Sequence, residues 1–590
     1  MPAVRPLVAH ASRLCLIADR RIAKGWAMNE LSGGEAMVRM LQAHDVRHVF
    51  GLCGDTSLPF YDALYRLDHG ITHILTRDER HAGYMADAYA RVTGRPGVCE
   101  GPSGGGATYI LPGIVEANES CVPVLGITSD ISVGGRGRYV LTELDQEALF
   151  RPLTKWNAVI DRADQLPRAV RRAFREMTTG RPGAVHLGLP FDVQKEPVDE
   201  ADVWADEQFA LCPALRTAAE AGAIDALVAA LEKAERPLLI AGGGVVISGA
   251  MSALERLAEH FGMAVATTIS GQGSIAEDHP LAVGVVGSNG GTPATRGLVD
   301  EADLVFFVGC RAGSVTTERW RHPRPGAVTV AHLDIDPAVI GANYPTGVAL
   351  AGDVRLTLEA ALHRAAHRGG QEPRRDPGPS LRAALADKAE RFEALARADD
   401  RPIVPERVIA ALQAVLPDDA VIVADPGTPC PYFSAHYLQR KPGRHFISNR
   451  AHGALGYSLG AVVGAAVGRP KAKCVAVMGD GSFAMACGEM ETIRRLGLPV
   501  TLIVISNGVF GWIKAGQRSG FDGRYFSVDF GESDHARIAE AFGLKAFRVE
   551  DPAELTATLK KAVNGGVPTL VDIVCQPLHE AAAPVSEWVA

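Results

Sequence analysis

One unit recurs along this chain: a short run of β-branched and small apolar residues, then a turn carrying glycine, then a stretch of helical period. Val46–Phe50 runs into Gly51-Leu52-Cys53-Gly54, and His73–Thr76 precedes a helix expected from about Glu79 to Val92. Pro123–Ile127, Ala184–Leu187, Ala420–Ala424, Cys474–Met478 and Val500–Ile505 read as further buried strands. Strands that are apolar without alternation are covered on both faces, and strands that alternate with helices pair in parallel through long crossovers. The expected fold class is α/β, with three doubly wound parallel-sheet domains.

Two composition shifts divide the chain. Residues 194–222 are acidic and Ala-rich with no strand signal, and residues 365–404 are rich in Arg, Asp, Gly and Pro before turning charged and helical; both read as linkers. The blocks between them are 28–193, 223–364 and 405–576, followed by a tail, 577–590. A length of 590 residues accommodates three such domains. The net charge of −8 gives no basic field for nucleic acid and no polybasic membrane surface. The ten cysteines form no C-x-x-C pair, which fits small buried residues in a reducing cytoplasm. Gly456, Gly460, Gly464 and Gly468 repeat every four residues in a run too polar at its start for a membrane span, so a soluble helix lying close to another backbone is expected. Residues 1–27 carry Arg5, Arg13, Arg20, Arg21 and Lys24 against the single acid Asp19; they read either as an organelle transit peptide or as a segment upstream of a start at Met28, outside the fold.

The stretch 473–507 carries the most chemistry. The strand Cys474–Met478 enters Gly479-Asp480-Gly481-Ser482, a helix is expected from about Ala484 to Leu496, and the strand Val500–Ile505 ends at Ser506-Asn507-Gly508. This βαβ crossover puts Asp480 and Asn507 at the carboxyl ends of two parallel strands, where open α/β sheets bind ligands. Mg²⁺ takes hard oxygen ligands together with substrate phosphates. Asp480 offers the carboxylate, Asn507 a neutral carbonyl oxygen, and Val509 a backbone carbonyl brought round by Gly508. Gly481 and Ser482 open a helix whose N–H groups suit a diphosphate. Alone, G-D-G is equally the pattern of a helix N-cap.

The combination G-D-G…N resembles the signature of the thiamin-diphosphate-dependent enzymes, with Ser506 standing where that signature has its first Asn. The resemblance implies a carboxyl that engages the cofactor's aminopyrimidine, and Arg77–Arg91 resembles the activating segment with Glu79 in that role. Val49–Asp55, Ser103–Thr108, Leu144–Glu147 and Thr154–Asn157 resemble substrate-side segments of acetolactate synthase. In the third block Gly453-Ala454-Leu455-Gly456 resembles the segment under the cofactor. Leu455 is then the apolar wedge, the Gly453 carbonyl an acceptor, and Gly427 and Thr428 diphosphate neighbours alongside Gly479. The N-terminal block is by this likeness pyrimidine-binding, the C-terminal one diphosphate-binding.

In the middle block, Pro237–Gly244, Thr267–Gly273, Val308–Arg311 and His332–Gly341 resemble the central domain of acetolactate synthase, which implies FAD there, or ADP as in a related decarboxylase. Gly242–Gly244 and Asp334 or Asp336 are the candidate contacts. The substrate side departs from acetolactate synthase: Val315, Gly516 and Asp145 replace its Arg, Trp and Phe. Asp55 matches an Asp of simple 2-oxo-acid decarboxylases, without their paired His. Asp55, Gln146, Trp512, Lys514 and Gln517 are the candidates facing substrate, with Asp55 and Gln146 counted as catalytic beside Glu79. The resemblance thus implies an acetolactate-synthase-like enzyme needing thiamin diphosphate and Mg²⁺. It would decarboxylate a 2-oxo acid or related ketone, then ligate or protonate the enamine intermediate, in a homodimer or homotetramer with the active site at a subunit interface. Its alternatives are a simple decarboxylase and a non-catalytic cofactor-binding subunit.

Overall fold

The computed structural model describes residues 29–368, 376 and 378–588; the basic segment 1–27 lies outside them. Each of the three blocks is built on a six-stranded sheet in which every pairing is parallel. The first sheet runs Thr72–Leu75, His48–Gly51, Gly97–Gly101, Val124–Asp130, Val185–Pro190, Trp156–Val159. The third runs Phe446–Ser448, Val421–Ala424, Cys474–Gly479, Thr501–Ser506, Thr569–Val574, Lys545–Val549. Numbered within their own domains, both have the order 2-1-3-4-6-5, so the rhythm shared by these blocks in sequence is a shared topology. The middle sheet has the order 3-2-1-4-5-6: Ala282–Val285, Ala264–Thr267, Pro237–Ala241, Leu304–Val308, Thr329–Asp334, Val348–Ala351.

The inner strands of each sheet are buried on both faces; Val421 to Ala424 are fully inaccessible, which is why such strands read as unbroken apolar runs. The helix Tyr457–Gly468 carries the four-residue glycine repeat and lies along Glu79–Thr93 of the first domain. A Cβ on Gly464 would stand 2.0 Å from the Met85 carbonyl oxygen, and one on Gly460 would meet the His81 ring at 2.5 Å. Glycine there lets two helix backbones touch and joins the first and third domains. Beside this contact Arg91 pairs with Asp87 at 2.8 Å and with Glu116 at 3.0 Å, and the Tyr457 hydroxyl donates to Asp87. Every charge in that buried cluster has a partner, as burial demands.

Several local expectations are corrected. The stretch 194–222 is not strand-free: Pro197–Asp199 pairs antiparallel with Glu30–Ser32. Within 365–404, the charged helix expected in the second half is present as Gly378–Ala396, and it packs on Pro293–Glu301 and Pro405–Val415. The helix after the third-domain G-D-G begins at Asp480, not Ala484, because Gly479 is its N-cap. It is interrupted by a 3₁₀ turn at Cys487–Glu489 before Met490–Leu496. The interruption has a cause in the fold, since the Glu489 carboxylate accepts from the Arg77 and Asp78 N–H groups at 2.6 and 3.1 Å. The 577–590 tail folds back on the body: Ser586 Oγ donates to Glu318 at 2.8 Å, Glu587 pairs with Arg319 at 3.4 Å, and Trp588 packs on Trp512 with ring centroids 5.2 Å apart. No described helix is long and apolar enough to cross a membrane, and the nine described cysteines are free.

Candidate active site

In the third sheet the strand order reverses between Val421–Ala424 and Cys474–Gly479, which opens a crevice at their carboxyl ends. Asp480 opens a helix at this point and is 5% exposed. Its Oδ1 accepts from the Gly481 N–H at 2.9 Å, and its Oδ2 accepts from the N–H groups of Asn507 and Gly508, both at 2.7 Å. One carboxylate thus ties together the loops after two neighbouring strands. Burial pushes its pKa up against these three donors, so a cation beside it would hold it ionised. The Asn507 amide is buried at both Oδ1 and Nδ2 with no partner in the chain. A buried amide unmet at both ends calls for an explanation, and an ion is one that fits its place beside Asp480. A buried carboxylate and an orphaned amide oxygen at adjacent strand ends suit a hard divalent cation.

Gly508, with φ +67°, turns the chain so that Val509 lines the same cavity. Ser506, in place of an Asn, anchors the Asn507 loop from below. Its hydroxyl meets His535 Nδ1 at 3.0 Å and donates to Asp572.

The cavity, about 490 Å³, is lined by Gly427, Thr428, Gly453, Leu455, Gly479, Asp480, Gly481, Ser482 and Val509, and by Val315 and Trp512. A Cβ on Gly479 would enter open space, so backbone is approachable there. Gly481 has a different reason to be glycine, since a Cβ would collide with the Phe510 ring at 2.6 Å. Gly453 and Gly456 hold φ of +75° and +86°, the left-handed region open to glycine, and arch the segment around Leu455. Asp425, which gives no signal in the sequence, holds that arch: it accepts from the Tyr457 N–H at 2.9 Å and the Ser458 hydroxyl at 2.9 Å, and burial raises its pKa to about 7.

The first-domain candidates lie elsewhere. Glu79 begins the helix Glu79–Thr93 and is 7% exposed. Its Cγ packs against Gly101 and its Oε1 against Gly106, where Cβ atoms would come to 3.4 and 3.2 Å. Burial raises its pKa. It is not among the residues lining the Asp480 cavity. Asp55 is exposed at the start of a 3₁₀ turn, with Oδ1 accepting from the Thr56 N–H at 2.9 Å. Gln146 is 1% exposed; its Nε2 donates to the Ser129 carbonyl at 2.9 Å while its Oε1 accepts from Thr128, so both ends of the amide are engaged inside the domain. Lys514 pairs with Asp529 at 2.6 Å, and Gln517 holds a turn through Phe526 N and O at 3.1 and 3.0 Å. The open side of Gly516 faces Trp588 of the C-terminal segment at 3.7 Å.

A second cavity, of about 320 Å³, lies at the 1–4 switch point of the middle sheet, where Gly242–Gly244, Gly313 and Asp334, but not Asp336, meet Glu119–Cys121 and Gly180–Pro182 of the first domain and Arg450 and Ala451 of the third. Gly242 and Gly244 are glycine chiefly because Gly309 crosses them: their Cβ atoms would fall 2.1 Å from its carbonyl oxygen and 2.8 Å from its Cα.

Comparison with known proteins agrees with this architecture. Residues 31–149 match the family described as thiamine pyrophosphate enzyme, N-terminal TPP binding domain; residues 224–361 match its central domain; residues 427–573 match its C-terminal TPP binding domain. A probable acetolactate synthase large subunit of Methanocaldococcus jannaschii is 35% identical over 566 residues, covering 93% of this chain and 92% of that protein. The one of Methanococcus aeolicus is 34% identical over 561 residues, with the same coverage. An acetolactate synthase of Arthrospira platensis is 32% identical, covering 93% and 94%. With all three domains in order and a strand-end crevice on the diphosphate side, the chain belongs to the thiamine pyrophosphate enzymes, as a relative of the acetolactate synthase large subunits.

Proposed function

We propose that this enzyme uses thiamin diphosphate and Mg²⁺ to decarboxylate a 2-oxo acid, then delivers the acyl fragment to a second carbonyl compound or to a proton. The observation that carries the reading is the pair at the third-sheet crevice: a buried Asp480 carboxylate next to the unpartnered Asn507 amide. Asp480, Asn507 and the Val509 carbonyl would hold the cation. Gly479, Gly427, Thr428, Gly481 and Ser482 would face the diphosphate, Leu455 would be the apolar wedge under the cofactor, and the Gly453 carbonyl would accept from its amino group. Thiamin diphosphate, when bound, supplies the electron sink for loss of CO₂. Glu79, buried with a raised proton affinity, would hold or give the proton at the aminopyrimidine. The nine described cysteines form no disulfide, which is compatible with the proposed cytoplasmic location.

We propose, on the likeness to the acetolactate synthase large subunits, that Glu79 of one copy and Asp480 of a second complete each active site, in a homodimer or homotetramer. Mixing inactive Glu79→Gln with inactive Asp480→Asn tests it. Half of the dimers become mixed and each has one intact site of two, so about one quarter of wild-type activity returns. A mixture as dead as its components would sink the shared site.

The middle-domain cavity is proposed to hold FAD or ADP, on its place at a 3-2-1-4-5-6 switch point. Unfolding the pure protein should release one adenine nucleotide, with flavin absorbance if it is FAD. Release of neither would exclude a resident nucleotide.

A further inference from the structure

The cavity beside Asp480 and the cavity at the middle-sheet switch point share a wall, for Ser314, Val315 and Arg450 line both. Arg450 follows the strand Phe446–Ser448 and is half-buried. Its Nη1 donates to the Pro426 carbonyl at 3.1 Å. The Asn289 amide, oriented by its hydrogen bonds, accepts from Nη2 at 2.7 Å and from Nη1 at 3.3 Å. Asn289 is itself held by an antiparallel bridge to Val585 and is 2% exposed. Pro426 and Asn289 both line the Asp480 cavity, so the guanidinium they hold lies in that cavity's wall. Both acceptors are neutral, and among the described residues no acid pairs with Arg450 and nothing accepts from its Nε. Arg319, in the same wall, is paired with Glu587 at 3.4 Å.

We propose that Arg450 is a specificity-determining residue of the active centre: it binds a substrate carboxylate that is kept through the reaction. The substrates it selects carry an acid group besides the one lost as CO₂. That group is either the far end of a dicarboxylic 2-oxo acid or the carboxylate of a second 2-oxo acid acting as acceptor. The inference rests on the decarboxylation proposed above.

The chemistry favours a retained group. A carboxylate that leaves as CO₂ gives up its charge on the way, so an ion pair with it would stabilise the starting state more than the transition state. A fixed cation therefore suits an acid group that stays charged. Arginine offers a planar fork of donors that matches a carboxylate. The contacts to Pro426 and Asn289 hold that fork in one orientation without neutralising it. The other anions proposed for the two cavities have partners of their own. A diphosphate beside Asp480 would meet the cation and the helix start at Gly481 and Ser482, and Arg181 and Arg311 line the second cavity, where a nucleotide phosphate would lie.

Two measurements on the holoenzyme, loaded with thiamin diphosphate and Mg²⁺, test the assignment. The first is titration calorimetry with glutarate, a dicarboxylate with no carbonyl to react. Arg450→Ala should weaken its binding about 10–100-fold, and Arg450→Lys, which keeps the charge but not the fork, should return part of the loss. Asn289→Asp sets a carboxylate of the same shape against the guanidinium and should weaken glutarate as well. The second measurement is kinetic. If the retained group is on the donor, KM for 2-oxoglutarate should rise about 10–100-fold in Arg450→Ala while kcat changes far less. If it is on the acceptor, the yield of ligated product per CO₂ released from pyruvate should fall instead. Thiamin diphosphate affinity and nucleotide content should stay as in wild type. Their loss in Arg450→Ala, with glutarate binding unmoved, would give Arg450 to the diphosphate or the nucleotide and overturn the proposal. Glutarate binding no weaker in Arg450→Ala than in wild type also overturns it; if that variant does not fold, the same result in Asn289→Asp does so. No CO₂ release by wild type from any 2-oxo acid would instead sink the proposed decarboxylation, whatever glutarate does.

Discussion

Asp480→Ala is expected to abolish cofactor retention at ordinary concentrations while leaving the protein folded. The carboxylate accepts three backbone N–H groups, from Gly481, Asn507 and Gly508. Its removal strips the proposed cation of its one charged protein ligand and frees the Asn507 loop from the strand before it. Losing a group that only orients a metal ligand weakens metal binding about 10–100-fold, and the loss of a ligand should exceed that range. Titration calorimetry of thiamin diphosphate at fixed Mg²⁺ measures the effect, with circular dichroism as the check on folding. An unchanged dissociation constant would mean that Asp480 only ties its helix to the Asn507 loop.

Glu79→Gln should behave differently. Gln matches Glu in size and can occupy the pocket against Gly101 and Gly106, so cofactor affinity should stay essentially as in wild type. Turnover should fall by about 10²–10⁴, the usual worth of a positioned acid–base group. Steady-state rates at saturating cofactor, set beside the binding isotherm, separate the two effects. Full activity in this variant would leave Glu79 as nothing more than a helix-dipole complement at the start of Glu79–Thr93.

The two variants also mark what is legible in the sequence. Asp480, Asn507 and the strands that carry them are readable because parallel strands buried on both faces leave unbroken apolar runs. The residues at their ends stand out as polar against those runs. Gly97–Gly101 is hidden for the same reason inverted: a glycine at each end and Glu100 between them break the run, and only the fold reveals that this carboxyl is buried. Trp156–Val159 is an edge strand, half-buried throughout, and carries no apolar signal.

Long-range pairings are invisible for a different reason. The three-residue strand Pro197–Asp199 is too short for a period and depends on Glu30–Ser32 far away in sequence. The break at Cys487–Glu489 depends on Glu489 meeting the first domain. Asp425 looks like any strand-end acid until the backbone of Tyr457 is seen to donate to it. The folding back of the tail through Glu587 and Trp588 has no periodicity to announce it. The separation of Glu79 from the Asp480 cavity is a property of how the domains are arranged, which motif spacing does not encode.

CO₂ release from a panel of 2-oxo acids, with thiamin diphosphate and Mg²⁺ added and the products resolved by mass, tests the proposed chemistry most directly. Release is expected from at least one member, dependent on both cofactors and stopped by a chelator. The product would be a 2-hydroxy ketone if the acyl fragment is ligated and an aldehyde if it is protonated. Absence of release from every member, by enzyme shown to have bound its cofactor, would contradict that chemistry.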